Sequence, residues 1–287
     1  MGATQDNLSV SKLLTIPVPK YPVVVQDKIA AILTAYDDLI EVNKRRIALL
    51  EKMAEELYRE WFVRMRFPGH QNTKFVKGVP VGWVTTRFAS ICKFIKGRTP
   101  SELTLVPRED HLPYINAAYL RGQEAEFAKR DRGCVICNDG DTLMLMDGSN
   151  SGLVFRAKYG IVASTFARIS MHEKYTHYIF EFLSSSRDSI LSNNTGSAVP
   201  HANKEFINRL IIYLPNSDQM LSDFNEKYEA IFQQKNILKQ QIVNLTRTRD
   251  LLLPRLISGK LSVEDLDIQF PPSMREATSE LHSASRK

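Results

Sequence analysis

Hydrophobic positions recur every three or four residues along two stretches of the chain, and the two patterns superpose at an offset of 195 residues. The first runs Leu33, Tyr36, Ile40, Asn43, Ile47, Leu50, Ala54, Leu57, Trp61. The second runs Tyr228, Ile231, Lys235, Leu238, Ile242, Leu245, Arg249, Leu252, Leu256. This spacing lays one stripe along a supercoiled helix, so the apolar members are the expected helix-pairing residues. Asn43, Lys235 and Arg249 interrupt the stripes. Either they fix the register of a helix pair, or they lie beyond its contact zone.

Turn residues set the boundaries. Pro17, Pro19 and Pro22 close a tail segment, 1–22, and Phe67-Pro68-Gly69 ends a long helix assigned to 23–66. A second long helix, 216–262, follows Pro215 with Ser217 as candidate N-cap and Gly259 as a natural C′ residue. Pro254 inside its last turns predicts a kink or a shortened rod. Residues 263–287, with Pro271-Pro272, read as a disordered tail. Each long helix spans roughly 50 Å at 1.5 Å per residue.

Between the helices, 67–215 reads as one mixed domain. Strands are expected from Val135 to Met146, at Gly160 to Ala163 and at Arg209 to Tyr213, with a single helix from Tyr175 to Leu191. The termini of a compact domain lie close together. A domain that leaves one helix and enters the other therefore makes the pair antiparallel. The expected fold class is α+β: one mixed α/β domain at one end of two long antiparallel coiled-coil helices.

Charge singles out that domain. Residues 64–210 hold 20 Lys and Arg against 13 Asp and Glu, a net +7, while 1–63 carry −1 and 211–287 carry 0. A basic domain between neutral helices points to a polyanion; the bland alternative is a soluble basic surface. Three cysteines suit a reducing, cytoplasmic setting. Cys134 and Cys137 have the spacing of half a zinc site, against a reading as buried strand. No apolar run is long enough to span a membrane. The start lacks a secretory signal, and Asp6 weakens a myristoylation reading of Gly2.

Several segments resemble, in order, the specificity subunit of a type I restriction–modification system. One is Ile16-Pro17-Val18-Pro19 with Gln26, Ile29-Ala30, Asp37-Asp38, Ile47, Leu49-Leu50 and Trp61-Phe62-Val63. Pro80, Gly82-Trp83 and Gly97-Arg98-Thr99-Pro100 are similar to the entry of a target recognition domain. Gly140-Asp141-Thr142-Leu143 and Asp147-Gly148-Ser149 resemble its central strand and turn, and Gly196-Ser197, Ile212 and Pro215 its exit. Thr248-Arg249-Asp250-Leu251-Leu252-Leu253-Pro254-Arg255-Leu256-Ile257-Ser258-Gly259 is the most specific segment. Intact members resemble a tandem of recognition domain and helix; here one complete domain stands between both helices. The opening residues, through Pro19, resemble the exit of a missing first domain, as in a split or truncated subunit.

The resemblance implies a non-catalytic chain that reads a half-site of double-stranded DNA. It implies methyltransferase subunits on the helices and a restriction/translocase subunit reached through the complex. It also implies a homodimer or a second half-subunit, with a ruler-like helix pair setting the spacing. Cofactors are expected on partner chains alone: S-adenosylmethionine, ATP and Mg. Candidate DNA-binding residues lie in loops: Lys93, Lys96, Arg98 and Thr99; Arg121 and Gln123; Ser149, Asn150 and Ser151; and Asn193, Asn194, Thr195, Ser197, His201, Asn203 and Lys204. Arg on guanine and Asn or Gln on adenine are the pairings that discriminate bases.

Other classes remain open. A coiled-coil adaptor without DNA binding explains the helices but not the central charge. A DNA-modifying enzyme domain finds no phosphate-binding loop, nucleotide fingerprint or nucleophile–base pair. Asp139, Asp141 and Asp147 form a conceivable metal cluster, but Asp139-Gly140-Asp141 reads as a turn.

Overall fold

The computed structural model describes residues 10–15, 19–196 and 198–274. The chain divides into two compact units, one built from Met1–Lys52 and Ile231–Lys287, the other from Met53–Ala230. A short helix, α1 (Val10–Leu14), precedes the long α2 (Val23–Tyr58), and α8 (Asp218–Ile257) is the second long helix. Of the tail segment expected at 1–22, residues 1–9 and 16–18 lie outside the described residues.

In the first unit the helices run antiparallel, as their side-chain contacts show. Lys235 meets Glu51 at 3.5 Å, Asn43 Nδ2 donates to Gln241 at 3.3 Å, and Arg249 meets Asp37 at 2.5 Å. One residue number falls as the other rises. Every stripe residue in this unit is buried or half-buried, while Leu39, Val42 and Leu49 beside the stripe are exposed. All three polar interruptions meet partners on the facing helix, so they lie inside the contact zone. With Asn43 buried and Lys235 and Arg249 only partly exposed, these pairs serve to select one register among several apolar ones.

Pro254 neither breaks nor shortens α8, which continues to Ile257. So close to the helix end, its missing N–H costs one backbone bond. Gly259 follows with φ +73, the left-handed C′ position. Of the tail 263–287 expected to be disordered, residues 263–274 are held in place by contacts, and 275–287 lie outside the described residues. Val263 is buried with Val25 and Leu256, Lys28 Nζ donates to Glu264 O at 2.6 Å, and Ser273 Oγ donates to Asp38 at 2.7 Å. Apolar Val263 and Ile268 outweigh the polar composition of that segment.

In the second unit α2 passes into a π-helical turn, Arg59–Val63, with Arg64 N bonding Arg59 O at 2.7 Å. The α-helix therefore stops before the expected 66. The wider turn lets neighbouring Trp61 and Phe62 both face inward, which regular α geometry sets about 100° apart. Phe62 stands edge-on to Tyr178 and Phe224 at 4.7 and 4.9 Å, with Tyr58 and Trp83 also against it.

Next come the hairpin β1 (Phe75–Val76) and β2 (Val79–Pro80), then β3 (Val84–Arg87), α3 (Phe88–Ile91), β4 (Cys92–Lys96) and β5 (Leu103–Thr104). They are followed by β6 (His111–Ile115), α4 (Ala117–Leu120), β7 (Phe127–Lys129), β8 (Ile136–Cys137) and β9 (Thr142–Leu145). Completing the unit are β10 (Val154–Arg156), β11 (Gly160–Val162), β12 (Phe166–Met171), α5 (Thr176–Ser185), α6 (Arg187–Ser192), α7 (Lys204–Arg209) and β13 (Ile211–Leu214). One antiparallel sheet has the order β10-β9-β12-β4. A mixed sheet has the order β5-β7-β6-β11-β8, with β11 parallel to β6, and β13 pairs with β3. Leu143, Leu145 and Phe166 of the first sheet share a core with Ile115, Ala128, Cys137 and Ile161 of the second.

The strand signals expected from Val135 to Met146 form two strands, β8 and β9, on either side of the expected turn at Asp139-Gly140-Asp141, with Gly140 at φ +84. The single helix expected at 175–191 is two, α5 and α6, broken at Ser186. The Ser184 and Ser185 hydroxyls donate back to Phe180 O and Phe182 O, local bonds that compete with helix continuation.

A charged cluster joins β10, α5 and α8 inside this unit. Arg156 donates to Gly140 O at 3.0 Å and to His177 Nδ1 at 3.1 Å, and lies over the Phe180 ring at 4.0 Å. With Nδ1 accepting, the other imidazole nitrogen donates to Glu229 at 2.9 Å. Burial first, then the guanidinium, push the His177 pKa down to about 4 against the opposing pull of Glu229. Protonation would set an imidazolium N–H against a guanidinium. The unfolded side chain takes up its proton near 6.5, so this stability is complete above that pH and drains away as pH falls toward 4. The full loss is roughly 3 kcal/mol. Urea denaturation at a series of pH values is expected to show it, and His177→Gln should flatten the profile.

Candidate nucleic-acid interface

An open groove of about 520 Å³ is lined by Lys96, Asp147, Thr195, His201, Asn203 and Lys204, with Met146, Ala202 and Glu205. It gathers three separate segments: the end of β4, the turn after β9, and the stretch leading into α7. Backbone bonds fix them together, Gly148 N to Pro200 O at 2.9 Å and Ala202 N to Met146 O at 2.8 Å. Thr195 and His201 exchange bonds at 2.9 and 2.7 Å, closing a tight turn. Gly196 sits in it at φ +88, where a Cβ would press on the Val199 carbonyl. The side chain of Asn203 caps α7 by accepting from Phe206 N at 3.0 Å, which leaves Lys204 exposed on the first turn.

Asp147 occupies the middle of the groove. Lys96 Nζ donates to its Oδ2 at 3.3 Å and His201 Nδ1 to its Oδ1 at 2.8 Å. The carboxylate is about one quarter exposed, its partners about half. On sequence Asp147 is weighed as a metal ligand and as part of the Asp147-Gly148-Ser149 turn, but not as a DNA contact, and so is missed here. A carboxylate beside Gly148-Ser149 in the one basic domain was the available signal.

The structure brings five predicted residues to this groove: Lys96, Thr195, His201, Asn203 and Lys204. It separates others. Lys93 and Lys96 stand three apart on β4, so they point to opposite faces of the sheet and are not one cluster. Arg98 lies against Gly133, and Thr99 donates to Ser164 Oγ at 2.9 Å. Arg121 and Gln123 are exposed just beyond α4, and Ser149 is exposed while Asn150 is half-buried. Ser151 is fully buried, and Asn194 Nδ2 donates to both its carbonyl and its hydroxyl at 3.0 and 2.8 Å. These bonds fasten the turn, committing the Asn194 amide nitrogen to the buried Ser151. Asn193 closes α6 by donating to Ser189 O at 2.8 Å. Ser197 lies outside the described residues.

The remaining chemistry-bearing groups have local tasks. Asp139 accepts from Tyr159 N at 2.8 Å, and Asp141 from Asn138 N at 2.9 Å and Arg168 at 3.4 Å, so the three aspartates are not gathered. Cys134 donates to Asp131 at 3.2 Å and Cys137 to Lys158 O at 3.2 Å. Burial pushes the Cys137 and Cys92 thiols up to about 12.

A basic α+β domain with such a groove, in a chain that also carries two long paired helices, now meets its relatives. Residues 80–244 match the family model of the type I restriction modification DNA specificity domain, more than half of the chain, and the chain belongs to that family. It is 31% identical over 187 residues to the type I restriction enzyme MjaVIII specificity subunit of Methanocaldococcus jannaschii. It is 26% identical over 288 residues to the MjaIX specificity subunit of the same organism. Those alignments take in 61% and 92% of this chain, and 44% and 65% of the relatives' own lengths. Among solved structures, the type I restriction–modification S subunit from M. genitalium has a TM-score of 0.58 at 16% identity. That match covers 90% of this chain and 67% of the other, and shows a shared fold. No described helix is long and apolar enough to cross a membrane.

Proposed function

We infer that this chain is a non-catalytic DNA-reading component of a type I restriction–modification assembly. Its basic domain reads a half-site of double-stranded DNA, and the helices dock methyltransferase subunits. S-adenosylmethionine, ATP and Mg are bound by partner chains, which also link to the restriction/translocase subunit. The observation that carries this reading is the groove, where Lys96, His201, Asn203 and Lys204 converge within the one domain holding the chain's excess positive charge. Exposed Leu39, Val42 and Leu49 on α2 and Ile237 and Val243 on α8 offer apolar surface for the docked subunits.

The 195-residue repeat supports a second recognition domain in the assembly. Tyr58 and Phe62, which receive Tyr178, are 3% and 4% exposed; their repeat equivalents Leu253 and Ile257 are 40% and 46% exposed. A second recognition domain would cover them.

Affinity for a DNA duplex, measured across a salt series with protection footprints, tests the reading. The logarithm of the binding constant should fall steeply with the logarithm of salt, and Lys204→Gln should reduce that slope by about 0.9. A chain acting only as a coiled-coil adaptor would show no salt-sensitive affinity. A monomer protecting two separated half-sites would contradict the need for a second reader.

A further inference from the structure

Two carboxylates line the groove beside Lys96, His201 and Lys204: Glu205 is exposed and pairs with Arg209, while Asp147 is the one that phosphate binding does not explain. Phosphates repel a carboxylate, so Asp147 weakens any purely electrostatic contact with the backbone. It is also held firmly. Lys96 takes one carboxylate oxygen and His201 the other, and both flanking backbone segments are tied by the Gly148–Pro200 and Ala202–Met146 bonds. Each carboxylate oxygen offers two lone-pair positions, so one acceptor site on each remains beyond these bonds. In the major groove the donors are the exocyclic amines of adenine and cytosine, each beside an acceptor of the same base pair. Lys96, a donor adjacent to the Asp147 acceptor, complements that neighbouring pair of groups.

We propose that Asp147 is a specificity-determining residue, reading an exocyclic amine of adenine or cytosine while Lys96 takes the adjacent acceptor. This rests on the DNA-reading function inferred above. Lys96 and His201 have a second task here, holding the carboxylate in one orientation before DNA arrives, which lowers the ordering cost on binding. Other bases leave the carboxylate facing an acceptor or a methyl group.

Selection of the full chain on a randomised duplex library, with its methyltransferase partner present, locates the sequence preferred by the wild type. Asp147→Ala, which removes both acceptor oxygens, is expected to relax the preference at one position occupied by adenine or cytosine, while the salt slope stays within a few tenths of a unit. On wild-type protein, replacing that base by its deamino analogue (purine for adenine, 2-pyrimidinone for cytosine) should weaken binding roughly 5- to 150-fold. The analogue should make little difference to Asp147→Ala. The wild-type arm needs no variant to fold, so it stands alone. A preferred sequence that survives in Asp147→Ala, or in which no analogue weakens the wild type, overturns the proposal while leaving DNA reading intact. No preferred sequence at all overturns the DNA-reading function, and this assignment with it.

Discussion

Phe62→Ala is expected to destabilise the second unit by about 3–5 kcal/mol, the range for a buried aromatic truncated where neighbours cannot collapse. Phe62 is 4% exposed and its ring lies within 6.5 Å of those of Tyr58, Trp61, Trp83, Tyr178 and Phe224. Those rings come from α2, the π-helical turn, α5, α8 and the loop before β3, so no single element can move in to fill the space. The chain's two tryptophans, Trp61 and Trp83, both touch Phe62, and their fluorescence reports this unit's unfolding directly. The urea midpoint should drop by about 2 M if the slope is near 2 kcal/mol per M. A loss below about 1 kcal/mol would mean the cluster repacks and does not hold the unit together.

Arg156→Ala should cost a comparable amount, about 3–5 kcal/mol, through a different mechanism. The guanidinium binds Gly140 O, His177 and the Tyr228 hydroxyl while covering the Phe180 ring. Tyr228 in turn donates to the buried Glu181 at 2.6 Å. Deleting the cation removes the positive charge from around two carboxylates, one of them 6% exposed, and empties the space its stem filled. Arg156→Met restores the stem without the charge, so it should recover only the packing share. The same change has a signature in pH. Arg156 helps depress His177, and its removal raises the folded-state pKa toward 6.5, so the acid-induced loss of stability should shrink. A pH profile identical to wild type would show that the guanidinium does not act on His177.

Both predictions concern residues that the sequence alone presents unevenly. Trp61 and Leu57 are legible as stripe members, yet Phe62 is not, because its burial comes from a turn wider than the α-helix that the periodicity assumes. Arg156 and His177 carry no local pattern at all; they lie 21 residues apart and meet only because β10 and α5 pack together. The candidate groove divides in the same way. Lys96, His201 and Lys204 are legible as basic residues in polar loops. Asn194 and Ser151 look identical in type to base contacts but are consumed by a buried turn. Polarity alone does not distinguish a side chain that faces solvent from one that satisfies its neighbour's backbone.

The sequence by itself determined the two long helices, their shared register, the basic domain between them and the family. Those features rest on periodicity, residue spacing and summed charge, which belong to the chain before it folds. Tertiary structure alone decided that Asn43, Lys235 and Arg249 meet partners across the helix pair, that residues 263–274 are packed, and that Asp147 stands among the basic groups of the groove. Each depends on which backbone segments come within hydrogen-bond reach across 50 to 235 residues of chain. Long-range closure of that kind is set by the packing of whole elements, and no short window of sequence encodes it.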